Sequence, residues 1–205
     1  GAQLLHWSGV RKKDQLIYGA TLGFTFLTTV EILDGFSEEW GFSWGDVMAN
    51  AAGSGLYIGQ ELLWNEQRIA LKYSFHQTGY AEIQPEKLGA SLLEQTLKDY
   101  NGQTYWLSFN LRSFFKASKI PKWLNVAVGY GGEGMLSDNE SIGNQIVNVN
   151  EAYRQYYFSL DINLNGIKTK SRVLSTVFDI LNMVKIPLPT VEFSEKGTVF
   201  HLFYN

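Results

Sequence analysis

The stretch Tyr156-Tyr157-Phe158-Ser159-Leu160-Asp161-Ile162-Asn163-Leu164 carries the clearest alternation in the chain. Tyr156, Phe158, Leu160, Ile162 and Leu164 recur at every second position, the period of a β-strand whose two faces meet different surroundings. The same period runs through Ile69, Leu71, Tyr73 and Phe75, which alternate with Ala70, Lys72, Ser74 and His76 and read as a half-buried strand. Tyr105 to Phe109 and Trp123 to Tyr130 are further strands. Val191 to Phe193 and Thr198 to Tyr204 read as a terminal hairpin around Lys196-Gly197. Gly131 to Asn150 is polar and rich in Gly and Asn, the composition of a long loop.

Upstream of these strands the period is helical. Asp14 precedes a run in which Leu16, Ala20, Phe24 and Leu27 share one face, with Glu31 on the same stripe. Gly35 is a stop, and Phe36 to Phe42 is a loop. Ser43 with Asp46 three residues on makes a capping-box-like start for a second helix, about Trp44 to Trp64. That helix carries Ala49, Ala51, Ala52, Gly53, Ser54, Gly55 and Gly59, small enough for another backbone to approach closely. A short connection between two such helices makes an antiparallel hairpin. Pro85 to Tyr100 reads as a short helix. Ser171 caps a last, amphipathic one with Leu174, Val177, Phe178, Leu181 and Val184 on one face. Helices first and mostly antiparallel strands later give an α+β fold. The expected organisation is a single domain over 1–205, with a hairpin region at 1–65 packed with a mixed region at 66–205.

Composition excludes several functions. Net charge is −3, and the one basic concentration, Lys116-Ala117-Ser118-Lys119-Ile120-Pro121-Lys122, is short. Nucleic-acid binding, which rests on clustered Lys and Arg, is therefore not expected. With no cysteine there is no disulfide framework, zinc–thiolate site or cysteine nucleophile. Aromatics make up 15% and charged residues only 18%, so the chain has extended contact with something apolar, either its own core or a membrane surface. The uncharged run Gln15 to Val30 is shorter than the ~18–20 apolar residues of a spanning helix and reads as a buried helix. About six strands are countable, fewer than the eight of a spanning barrel. The opening Gly1-Ala2-Gln3 is that of a processed product or a fragment.

The hairpin carries the polar residues that could do chemistry. Glu31 and Asp34 are one turn apart, and Asp46 and Asn50 lie on one face of the second helix. An antiparallel hairpin brings all four toward its loop. Converging carboxylates either share protons or hold a cation, with Glu31 and Asp46 the candidate metal ligands. The competing reading is structural: Asp46 favours its own helix terminus, and Glu31 hydrogen-bonds across the hairpin.

The pattern Glu31-x-x-Asp34-Gly35 followed by Ser43-x-x-Asp46-x-x-x-Asn50-x-x-Gly53 resembles the YfiM-type family of predicted periplasmic lipoproteins. It resembles, more distantly, the VanZ-like membrane family. Tyr100 to Leu107 and Pro121 to Asn125 resemble longer Bacteroidetes-type members. The resemblance implies a cell-envelope, periplasmic location attached to the outer membrane, and an acidic cluster at Glu31, Asp46 and Asn50. It also implies an Asp-Lys-x-x-His element on a preceding helix. This chain does not have one, since His6 is followed by Trp7-Ser8.

Other motifs are weaker. Gly129-Tyr130-Gly131-Gly132-Glu133-Gly134 matches a dinucleotide fingerprint without the helix that must follow it, so no nucleotide and no cofactor is expected. His6, His76 and His201 have no metal-ligand spacing. Phe114, Phe115, Lys116, Lys119, Lys122 and Trp123 form a candidate membrane contact, with rings inserted and lysines above; a solvated loop is the competing reading. The leading expectation is a non-enzymatic envelope module that binds a membrane surface or an envelope protein. The alternative is a carboxylate-based metal-binding protein, hydrolase or transferase acting on an envelope substrate.

Overall fold

The computed structural model describes residues 8–34, 36, 43–135 and 152–204, with the backbone alone at 33 and 34. The chain divides into two compact units, residues 1–67 and 68–205.

The first unit is the helical hairpin. Helix α1 spans Lys12–Asp34 and α2 spans Trp44–Trp64. Lys12 at the start of α1 meets the end of α2, with its Nζ 2.7 Å from Glu61 and 3.0 Å from the carbonyl of Asn65. Glu31 at the far end of α1 meets Ser43 at the start of α2. Two contacts at opposite ends fix the antiparallel arrangement. Ser43 caps α2 by accepting from the Asp46 backbone N–H, as its sequence position implies. Two of the small residues do not meet a close neighbour: a Cβ at Gly55 or Gly59 would meet nothing within 4 Å. Nor is α1 buried along its length: Ile17, Leu22 and Phe26 are exposed. Among the described residues no helix is long and apolar enough to cross a membrane.

The second unit is a six-stranded antiparallel meander. Its strands are β1 (Ile69–Phe75), β2 (Gln103–Asn110), β3 (Leu124–Glu133), β4 (Tyr153–Ile162), β5 (Leu188–Ser194) and β6 (Gly197–Tyr204), ordered in space as in sequence. The β5–β6 turn needs Gly197, whose φ of +119° is open to few other residues. Between β1 and β2 lie three short helices, α3 (Tyr80–Ile83), α4 (Pro85–Leu88) and α5 (Leu92–Lys98), broken at Gly89 where one helix was expected. Helix α6 (Leu111–Phe114) follows β2, and α7 (Arg172–Leu181) follows β4, capped by Ser171. The expected loop after Gly131 begins later, since β3 runs to Glu133, and residues 136–150 lie outside the described part.

The sheet is rolled. A flat sheet would hold β2 and β6 about 19 Å apart, four strand spacings. Yet the Tyr204 hydroxyl on β6 lies 3.1 Å from Thr104 Oγ1 on β2. Lys72 on β1 likewise reaches Asp161 on β4 at 2.8 Å. After α7 the chain returns along β1, where Tyr73 donates to the Met183 carbonyl and accepts from the Lys185 N–H. Three residues later β5 begins, so this parallel bridge ties the roll together on the β1 side.

The alternation identified in the sequence is present, and its buried half is the polar one. Along β4, Tyr153, Gln155, Tyr157, Ser159 and Asp161 are buried, while Arg154, Tyr156, Phe158 and Leu160 are exposed. Among the described residues eighteen polar or charged side chains are buried against seven hydrophobic ones, the reverse of a core assembled in water. The amphipathic helix α7 follows suit, since none of its residues is buried and Leu174, Val177 and Leu181 face outward.

Candidate functional site

The hairpin residues take separate positions. Glu31 is buried, and its Oε1 accepts from the backbone N–H of Ser43 at 2.8 Å, satisfying one of the free donors at the start of α2. Asp46, one turn further, is exposed, and Asn50 is half-buried. The side chain of Asp34, and Gly35 with most of the expected loop, lie outside the described residues, as does His6. Among the described residues no three His, Asp or Glu side chains are placed to hold a metal ion.

The roll encloses a polar interior built from inward positions of different strands. Lys72 and Asp161, both side chains fully buried, form an ion pair, and Lys72 also donates to the Ile162 carbonyl at 2.7 Å. Asp161 Oδ2 accepts from Ser108 at 2.6 Å, Ser108 accepts from Asn125, and Asn125 accepts from Asn110. Asp161 Oδ1 is buried without a hydrogen-bond partner. Lys185, also buried, stands 5.0 Å above the Trp106 ring.

A second network lies toward the other end of the roll. Gln155 bridges Glu133 and Glu192, and Glu192 Oε2 is 2.8 Å from His201 Nε2. Tyr153 donates to Glu133. Tyr204 donates to Tyr157 at 2.6 Å.

The outward positions align in rows through the pairing register. One row reads Leu71, Leu107, Val128, Phe158, Val191 and Phe200 across the six strands. The row beside it reads Tyr73, Tyr105, Tyr130, Tyr156 and Phe193, a band of four tyrosines and a phenylalanine. On the other side Ile69, Phe109, Val126 and Leu160 continue the apolar surface. Beyond them, at the opposite end from the tyrosines, stand the six residues anticipated as a membrane contact. Phe114 closes α6 and Phe115 follows it; Trp123 precedes β3; all three rings are exposed, as are Lys116, Lys119 and Lys122. From Tyr130 to Trp123 is seven residues, about 23 Å along the strand.

Sequence reasoning located the alternation and missed its sense. Period 2 says that two faces differ, and only the strand curvature says which face is enclosed. It also missed Arg154, which continues the outward face of β4 just past the tyrosine row, and Gly129. A Cβ at Gly129 would lie 2.6 Å from the indole of Trp106, so this strand position admits the ring only when bare. The Gly-rich run around it is strand, not a phosphate loop.

No curated protein and no solved structure matches the chain. Residues 2–59, most of the hairpin unit, match the family of predicted periplasmic lipoproteins DUF2279, a likeness that sets this part of the chain among uncharacterised proteins of the cell envelope.

Proposed function

We propose that the protein is a non-enzymatic envelope module whose rolled sheet sits in a membrane, its apolar outer face against lipid acyl chains and its polar interior shielded from them. The observation that carries this reading is the inverted sheet, with Lys72 and Asp161 fully buried and Phe158, Phe200 and Leu71 all about half exposed or more. In water that arrangement is unfavourable twice over, because a buried ion pair is poorly repaid and each exposed Leu or Phe forgoes part of ~1.5–3 kcal/mol. In hydrocarbon both terms change sign. Two further features support it. A tyrosine band borders the apolar rows at one end and Phe114, Phe115 and Trp123 border them at the other, as aromatic girdles border the ~25 Å apolar belt of membrane barrels. Strands β3 and β4 each have 10 residues, the length of a spanning strand. The hairpin pattern of Glu31, Asp46 and Asn50 supports placing the N-terminal unit with YfiM-type and, more distantly, VanZ-like sequences.

The test is photolabelling in vesicles made with a phospholipid that carries a diazirine on its acyl chain. Label is expected on Leu71, Val128, Phe158 and Leu160 and not on Lys72, Ser159 or Asp161. A correctly folded sheet that stays in the aqueous phase and takes no label refutes the proposal. Label spread equally over both sets of residues also refutes it.

A further inference from the structure

Resting on the lipid-facing reading, a groove in the outer face has a more specific occupant. It holds about 570 Å³, within the range of small-molecule sites. Its walls are apolar: Leu107, Val128 and Phe158 on one side, Tyr130 and Tyr156 on the other. The floor is Gly129, and the indole of Trp106 lines the groove from beneath because that position has no side chain. Arg154 lies two residues before Tyr156 on the same exposed face of β4. Its guanidinium is 5.8 Å from the Tyr130 ring and donates to the Tyr130 hydroxyl. Among the described residues no carboxylate pairs with it. Gly132 sits directly opposite in the register, and the flexible Met135 side chain lies over it, within 2.8 Å of where a Cβ would stand.

An apolar trough ending at a cation with no carboxylate partner among the described residues matches an amphiphile with an anionic head. We propose that the groove binds one acyl chain of an anionic phospholipid, with Arg154 holding the phosphate at the level of the tyrosine band. The planar guanidinium suits a phosphate through paired N–H donors, and its contact with Tyr130 already fixes its position at the groove end. A zwitterionic lipid brings its own cation to the same place and gains less.

Native mass spectrometry of the full chain released from detergent, titrated with phosphatidylglycerol or phosphatidylcholine of matched chains, reads this directly. The expected result is retained phosphatidylglycerol with about a ten-fold preference. Arg154→Glu and Arg154→Gln should abolish the preference while leaving the acyl-chain labelling of Phe158 unchanged. Val128→Trp should fill the trough and lower retention of both lipids. Equal retention of the two lipids by the unaltered chain overturns the proposal, as does an undiminished preference in Arg154→Glu. Failure of the underlying reading is separately visible as loss of acyl-chain labelling from the unaltered chain.

Discussion

Phe158→Arg separates a membrane-facing sheet from a water-facing one more sharply than any other single change. Phe158 lies at the middle of the central apolar row, flanked by Val128 and Val191, and is 49% exposed. In water the substitution removes a half-solvated ring and adds a solvated guanidinium, a change within about 0.5 kcal/mol for a surface site. In hydrocarbon two costs add. The exposed half of the ring no longer transfers from water, about 1 kcal/mol. A cation must also be accommodated on the lipid face, about 2–4 kcal/mol near mid-depth. The sum, ~3–5 kcal/mol, is a fall of roughly 10²–10⁴-fold in partitioning. Equilibrium partitioning into zwitterionic vesicles, followed by flotation, measures it. Glu195→Arg puts the same guanidinium in the exposed turn after β5 and, although it changes the net charge by more, should shift partitioning by less than about three-fold. If Phe158→Arg partitions as the unaltered chain does, the outer face does not meet lipid, and the inversion of the sheet needs another cause.

The interior makes its own predictions. Lys72→Met leaves Asp161 buried and uncompensated and should destabilise the sheet by about 3–5 kcal/mol in chemical unfolding; the Lys72→Met/Asp161→Leu double variant should cost less than Lys72→Met alone. In the hairpin, Glu31→Ala removes the acceptor for the Ser43 N–H and should cost about 1–2 kcal/mol. Glu31→Gln keeps an acceptor and should cost less; equal losses measured by far-UV circular dichroism would mean that the charge, not the hydrogen bond, matters.

How far the fold is readable depends on which physical signal encodes each part. The α+β class, the hairpin and the strand positions follow from period alone, and the caps at Ser43 and Ser171 from a hydroxyl three residues before an open N–H. These are local signals. The sense of the sheet is not local. Tyr156 and Phe158 look the same in sequence whether they line a core or face lipid. The difference lies in Lys72 meeting Asp161 across 89 positions of chain, which only the roll brings about. A pointer was nevertheless present. A charged residue recurs on the polar half of β1, β4 and β5, at Lys72, Asp161 and Glu192, and a solvent-facing polar half would have needed no such pairing. The hairpin residues fare differently. Spacing placed Glu31 at the correct end, but its partner is the backbone N–H of a cap, which no side-chain motif announces.

The edge of β6 extends the argument. Among the described residues β6 pairs with β5 on one side only, and its sequence, Gly197 to Tyr204, contains no Lys, Arg, Asp or Glu that would discourage pairing on the other. In water the open N–H and C=O groups are hydrated at little cost. In hydrocarbon each unpaired group costs several kcal/mol, so an open edge is not sustained there. Immersion of the sheet therefore requires a strand on the outer edge of β6. Hydrogen–deuterium exchange separates the cases. In bilayers every amide from Thr198 to Phe203 should be protected. In the aqueous protein, alternate amides, those pointing away from β5, should exchange quickly. Rapid exchange of the same alternate amides in bilayers would mean that β6 lies outside the hydrocarbon and that only β1 to β5 face lipid.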